Sequence, residues 1–216
     1  MKANLAQNLQ PVAHSGNWVR MLLRQHASSA LSTSHTRTHP GRFNTGTAAY
    51  PDFEVLYLAE SHLVAQFEVS ALLGSPAVFT PSPLAQNWLT VHVNVNLAKV
   101  VDLTSLQERR IVLTSAQELT GDWRSYYLRS PNWATRQSFW KIIPTQRLAR
   151  AIFQDMRRIE GIITYSARVP DRKCLVVFPH NLRQKSSVVA RSATDSAGAI
   201  VPIKKTRLPR KLPRSP

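Results

Sequence analysis

The sequence predicts a soluble α+β protein in which small mixed β-sheets are flanked by helices. Apolar strand-like segments and helical patterns follow one another without a regular strand–helix–strand repeat. A length of 216 residues and a hydrophobic content of 43% support a packed core. We therefore expect one domain over 18–182, after a lead segment over 1–17 and before a tail over 183–216.

The predicted strands differ in their patterns. One face of the strand predicted over WVRMLLR (18–24) carries Val19, Met21 and Leu23. The other face carries Arg20, Leu22 and Arg24. WLTVHVNVN (88–96) alternates apolar with polar residues, which is typical of a strand with one buried face. FEVLYLA (53–59) is apolar and β-rich, and GIITYS (161–166) and CLVVFP (174–179) are joined by a polar turn.

Three segments have helical patterns. Ser61 and Gly74 suit the two ends of a helix over 61–74. Its apolar stripe is Val64, Phe67, position 68, Ala71 and Leu72. A capping box from Ser115 to Glu118 predicts a helix over 115–123. A longer helix is predicted over 144–161, with Thr145 as N-cap and an apolar stripe of Leu148, Ile152, Met156 and Ile159.

Residues 39–46, HPGRFNTG, hold an arginine between two turn signals. Pro40 presets φ and Gly41 favours a positive φ, so a type II turn is expected, and Asn44–Gly46 is a second turn site. Arg42 would leave this rigid corner in a fixed direction. The alternative is an ordinary solvated loop arginine.

The net charge of +16 suggests a polyanionic partner. Half of that excess lies in 183–216, which has nine Lys/Arg and one Asp. The composition of this segment predicts a disordered basic tail, which either binds nucleic acid weakly or is merely solubilising. The single cysteine, Cys174, lies in an apolar run and is expected to be a core residue. We found no segment long enough to cross a membrane, and we expect a cytoplasmic protein.

Several chemistries are disfavoured by the motifs. The seven histidines form no HExxH motif, and one cysteine excludes paired CxxC motifs. We therefore expect no dedicated metal site. Glycine loops of the Walker or Rossmann type are absent from the sequence, so arginines would have to hold the phosphates of any bound nucleotide.

Glu68 is the residue that a structural account explains least well. It falls on the apolar stripe of the predicted helix 61–74, where a carboxylate must be paired or open onto a cavity. The alternative is that the helix is slightly rotated and Glu68 reaches water at the edge of the stripe.

The order of five elements resembles the RES domain family. They are Arg24 in the first strand, GRFN with Arg42, LYLAES with Tyr57, QFEV with Glu68, and GIITYSAR with Ser166 followed by CLVVF. The resemblance covers roughly residues 18–180. The family's usual YPSAR is here TYSAR, and the stretch between GRFN and the tyrosine strand is long.

The resemblance implies a fold like that of diphtheria-toxin-like ADP-ribosyltransferases and an activity that breaks down NAD, with no metal cofactor. It implies catalytic roles for Glu68, Arg42 and Tyr57, and contacts to NAD from Arg24, Arg42, Tyr57 and Ser166. The chemistry agrees, because the guanidinium fork suits a diphosphate, and a carboxylate stabilises the oxocarbenium-like ribose formed when nicotinamide leaves.

Three functions stay open at this point. One is NAD cleavage with water or phosphate as acceptor, the second is protein ADP-ribosylation, and the third is a catalytically inactive, basic nucleic-acid-binding protein. The resemblance also implies a toxin neutralised by a separate helix-turn-helix antitoxin. The sequence leaves the oligomeric state open, a homo-oligomer included.

Overall fold

The computed structural model describes residues 3–46, 52–82, 87–122 and 143–210. The strands are β1 Val12–Leu23, β2 Leu56–Ala59, β3 Leu72–Ser75, β4 Val78–Pro81, β5 Trp88–Asp102, β6 Gly161–Tyr165, β7 Lys173–Val177, β8 Ser187–Thr194, β9 Ile200–Val201 and β10 Thr206–Arg207. The α-helices are α1 His62–Glu68, α2 Leu106–Ile111, α3 Ala116–Thr120 and α4 Pro144–Phe153. Short 3-10 helices cover Ala3–Asn8, Arg24–Ser29, Ser34–Arg37 and Pro179–Asn181. The α+β class predicted from the sequence is confirmed.

The main sheet runs in the order β1-β2-β7-β6-β5-β8-β10, with β9 beside β8. β1 also pairs with β5, so the strand pairings from β1 to β5 close into a ring. Strands β5 and β6 are parallel, whereas β1 and β5 form a long antiparallel ladder. β3 and β4 form a separate hairpin directly after α1. This arrangement sets α1 beside β1 and β2.

The alternation predicted for 88–96 is confirmed in β5 except at Thr90, which is buried although it belongs to the polar face. Leu89, Val91 and Val93 are buried, whereas His92 and Asn96 are exposed. The apolar face of β5 packs with residues of β1, β2, β7 and β8 in one core. A second core lies between the sheet and α4. Burial of these two faces is the main stabilising term of the fold.

Two predicted helices are shorter than the sequence indicates. The segment 61–74 is helical only to Glu68, because Ser70 adopts φ 58 and the chain continues as β3. The segment 144–161 is helical only to Phe153, because Asp155 and Arg157 form a local turn and Met156 is 98% exposed.

The ends of these segments also differ from the prediction. Ile143, not Thr145, precedes the first residue of α4. A helix is present within the segment predicted over 115–123, but it covers only Ala116–Thr120, with the Ser115 hydroxyl accepting a hydrogen bond from the Glu118 amide. Residue 123 lies outside the described part of the chain. The strand predicted over 53–59 begins only at Leu56, although Phe53 and Val55 before it are buried.

The segment 183–210 is not a disordered tail. β8 pairs with β5 along the main sheet and places Val188, Ala190 and Ala193 in its core. The sequence pattern is hard to recognise because small residues, rather than large apolar ones, face the core. Residues 211–216 of the predicted tail lie outside the described part of the chain.

The lead segment predicted over 1–17 also contributes to the fold. Ala6 and Leu9 are buried in the second core, and β1 begins at Val12. The sequence pattern missed this because Ala3–Asn8 and the first residues of β1 are largely polar. Within the ranges that the structure describes, no helix is long and apolar enough to cross a membrane.

Candidate active site

The GRFN segment forms a tight turn whose ends meet at Gly41 and Asn44. The Gly41 N–H donates to the Asn44 carbonyl at 3.0 Å. Phe43 points into the core, and the Arg42 side chain is only 10% exposed. The expected positive φ at Gly41 is wrong, since among the described glycines only Gly198 has one.

Gly41 is required for space. A Cβ at this position would lie 2.5 Å from Asn44 Oδ1 and 2.8 Å from the Tyr57 hydroxyl. Those two atoms are themselves hydrogen-bonded, with the Tyr57 O–H donating to Asn44 Oδ1 at 2.8 Å. The Phe43 N–H donates to the same hydroxyl at 3.0 Å. Tyr57 therefore holds the turn with its hydroxyl and leaves its ring against the cavity.

Burial raises the pKa of Tyr57 above its ordinary value. The phenol thus stays protonated at neutral pH and keeps its role as a donor. The hydroxyl is thus committed to the turn, and the ring is left to line the cavity.

Helix α4 fixes the turn from the other side. Thr145 Oγ1 donates to the Arg42 carbonyl at 2.7 Å. Gln146 Nε2 donates to the carbonyls of Gly41 at 2.7 Å and Asn44 at 3.0 Å. The first turn of a helix more than a hundred residues away in sequence thereby sets the direction of Arg42.

Glu68 is the last residue of α1, and its two carboxylate oxygens have different surroundings. Oε1 accepts hydrogen bonds from Ser166 Oγ at 2.6 Å and from the Ala167 N–H at 3.1 Å. The Cys174 thiol is a third donor, with Sγ at 3.8 Å from Oε1. Oε2 lies 3.5 Å from Arg42 Nη2. At 25% side-chain exposure, Glu68 is neither fully buried nor a solvated edge residue.

Ser166 follows β6 and is buried. Its hydroxyl donates to Glu68 and accepts the N–H groups of Arg168 and Val169, each at 3.1 Å. One donor and two acceptor positions are the full capacity of a hydroxyl. In this structure Ser166 therefore contacts Glu68 and does not line the cavity.

A cavity of about 350 Å³ lies beside this cluster. Its polar lining consists of Arg20, His35, Arg42, Tyr57, Glu68 and Cys174. Apolar residues of β1, β2 and β7 complete the wall. The fold thus brings together three of the residues selected from the sequence, Arg42, Tyr57 and Glu68, around one space.

Arg24 is not among them. It follows the end of β1, its side chain is 54% exposed, and its Nη2 lies 3.4 Å from Asp195 Oδ2. Arg20, on the same predicted strand face, lines the cavity instead. The alternation placed both arginines on one face of the strand. Choosing between them required knowing where β1 ends.

The Arg20 side chain is held by two backbone carbonyls. Its Nη1 donates to the carbonyls of Ala30 at 3.0 Å and Ser32 at 3.1 Å. Burial lowers the pKa of Arg20 to about 10, so it remains a cation at neutral pH. Nearby His35 was also missed by sequence reasoning, and burial, followed by the charge of Arg20, lowers its pKa. His35 is therefore neutral at neutral pH.

The Arg42 guanidinium is poorly satisfied by the protein. Its contacts to Glu68 and to the Tyr165 carbonyl are both 3.5 Å long. Within the described part of the chain, its buried Nε has no hydrogen-bond partner. A largely buried cation with unused donors, facing a cavity, is the arrangement expected of an anion-binding residue.

The fold and this pairing of acid and arginine define an α+β domain with a polar cavity. The RES domain family matches residues 17–197, and the chain belongs to that family. A chain of the crystal structure of the M. tuberculosis MbcT–MbcA toxin–antitoxin complex has a similar fold. Comparison of the two chains gives a TM-score of 0.62 and 19% sequence identity, and the match covers 89% of this chain and 90% of that chain. No curated protein matches the sequence.

Proposed function

We propose that this protein cleaves the bond between nicotinamide and ribose in NAD, with water or inorganic phosphate as acceptor. The observation that carries the proposal is the cluster of Glu68, Arg42 and Tyr57 on the wall of one cavity. A volume of about 350 Å³ lies in the range of small-molecule sites. Membership of the RES domain family supports the same conclusion.

Each side chain has a chemical task in this reaction. As nicotinamide leaves, positive charge develops on the ribose, and a carboxylate already in place stabilises it. Glu68 supplies that charge, with one oxygen anchored and the other beside the cavity. Arg42 and Arg20 offer positive charge to the diphosphate, and the ring of Tyr57 offers a face for a planar base.

We further propose that the protein acts as a toxin in the cytoplasm and is neutralised by a separate antitoxin. Support comes from the family and from the fold likeness to a chain of a toxin–antitoxin complex. An enzyme that depletes NAD must be restrained in its own cell. A helix-turn-helix protein that covers the cavity is the partner implied by the resemblance.

The test is to incubate the full chain with NAD, with and without phosphate, and to identify the products by mass spectrometry. Free nicotinamide with ADP-ribose indicates water as acceptor, and ADP-ribose phosphate indicates phosphate. Mass added to the protein or to a second protein indicates ADP-ribosylation instead. Intact NAD under all conditions, with nucleic acid bound, would favour the inactive binding protein.

Glu68→Gln is the matched variant. It keeps the size of the side chain and an oxygen for Ser166, but removes the charge, so NAD cleavage should fall by at least ~100-fold. Glu118→Gln, in the exposed part of α3, is the control and should be as active as the unmodified chain. Full turnover by Glu68→Gln with a native melting curve would remove Glu68 from the mechanism.

A further inference from the structure

Cys174 occupies a position that core packing alone does not explain. It lies on β7 between two paired strands, opposite Ala59 of β2 and Thr164 of β6. Its backbone is therefore fixed on both sides. The side chain is buried but lines the cavity, and Sγ is 3.8 Å from Glu68 Oε1.

Glu68 needs an anchor from outside its own helix. It is the last residue of α1, and the chain turns away through Val69 and the left-handed Ser70. No further helical turn packs around the glutamate side chain on its C-terminal side. Its conformation therefore depends on donors from other elements, and three of them converge on Oε1.

These donors lie on both sides of the loop that connects β6 to β7. Ser166 and Ala167 follow β6, whereas Cys174 belongs to β7. Within the described part of the chain, Oε2 has only the long contact with Arg42, and the Glu68 side chain lines the cavity. The carboxylate thus has one anchored oxygen and one that is available to a ligand.

The thiol is protonated, as a donor must be. Burial and then the charge of Glu68 raise the pKa of Cys174 above its ordinary value. The other titratable or charged groups acting on this cluster are Arg42, Tyr57 and Glu60. A neutral thiol is a poor nucleophile, so a covalent role is disfavoured.

We propose that Cys174 is a positioning residue, which holds Glu68 Oε1 through its S–H group and so directs Oε2 towards the ribose of bound NAD. This inference rests on the proposed function for the identity of the substrate. The contact itself is independent of it. The two can therefore fail separately.

The test uses the full chain labelled with ¹³C-glutamate, and the Glu68 carboxyl resonance is assigned by its loss in Glu68→Gln. In Cys174→Ala we expect the Glu68 carboxyl resonance at neutral pH to move from its position in the unmodified chain, because one donor to Oε1 is lost. Cys174→Ser, which keeps a donor, should restore the resonance.

Val177→Ala is the matched control for packing. Val177 is also buried on β7, but its side chain belongs to the core formed by β1, β2, β5, β7 and β8 and not to the cavity wall. Val177→Ala should lower the melting temperature without moving the Glu68 resonance. A loss of kcat for NAD cleavage should be confined to Cys174→Ala.

A Glu68 carboxyl resonance that is unchanged in folded Cys174→Ala overturns the proposal. Equal shifts in Cys174→Ala and Cys174→Ser also overturn it, because they indicate packing and not a hydrogen bond. If the unmodified chain does not cleave NAD, the proposed function fails. The Glu68 carboxyl resonance still decides whether Cys174 holds Glu68.

Discussion

Adding one methyl group at Gly41 tests how the GRFN turn is held. In Gly41→Ala the new Cβ would lie 2.5 Å from Asn44 Oδ1 and 2.8 Å from the Tyr57 hydroxyl. Neither neighbour can move freely, because Asn44 Nδ2 also donates to the carbonyls of Thr36 at 2.6 Å and His39 at 2.7 Å. Relief of the clash therefore requires the loss of hydrogen bonds inside the turn.

The magnitude follows from those bonds. Losing two or three of them at roughly 1 kcal/mol each predicts a fall of about 2–3 kcal/mol in the free energy of unfolding. NAD cleavage should fall as well, because Arg42 is the next residue. The control is Gly198→Ala, where nothing lies within 4 Å of the new Cβ and φ is +81°. It should cost only the backbone strain, about 1 kcal/mol.

Urea denaturation of the two variants and the unmodified chain gives both free energies. We expect Gly41→Ala to be the less stable variant and the only one with impaired NAD cleavage. Equal stabilities for Gly41→Ala and the unmodified chain would refute the crowding at Asn44 and Tyr57. Loss of stability with normal kinetics would show that Arg42 does not depend on the turn.

Two further predictions concern the arginines and the C-terminal strands. Arg20→Lys should raise KM for NAD by roughly 10-fold, because the guanidinium fork is lost. The control Arg24→Gln, at an exposed position, should leave KM within about twofold. A KM effect confined to Arg24→Gln would reverse this assignment. Truncation after residue 182 removes β8 and should abolish the cooperative melting transition, with truncation after residue 210 as the control. A folded, active 1–182 fragment would show that β8 is dispensable.

Much of the fold could be predicted because strand alternation and helix caps are local signals. Most of the alternation in 88–96 and the N-cap at Ser115 are present in the structure, although the Glu118 carboxylate accepts from the Thr114 hydroxyl and does not complete the capping box. The end of the helix at Glu68 was not predictable in this way. The apolar stripe continues through Ala71 to Leu72, and both residues are buried. They lie after the end of the helix, however, and Leu72 is the first residue of β3. An apolar pattern therefore did not distinguish helix from strand here.

The candidate site was predicted only in part, because its contacts join distant segments. The sequence indicated that Glu68 needed a partner, but not that Arg42 and Ser166 would lie on its two sides. Cys174 was assigned to the core because it stands in an apolar run. It is buried, yet its thiol contacts Glu68, and no spacing rule indicates that contact.

Three of the seven cationic side chains in 183–210 are hydrogen-bonded to the rest of the fold. Arg183 Nη2 donates to the Arg157 carbonyl at 2.9 Å, and Arg207 Nη2 donates to the Ser186 carbonyl at 2.7 Å. Arg191 Nε donates to the Asn94 side chain on the neighbouring strand. A guanidinium occupied by carbonyl acceptors binds phosphate less well, because those bonds must first be broken. The charge of 183–210 is therefore weaker support for nucleic-acid binding than the net charge of +16 suggests.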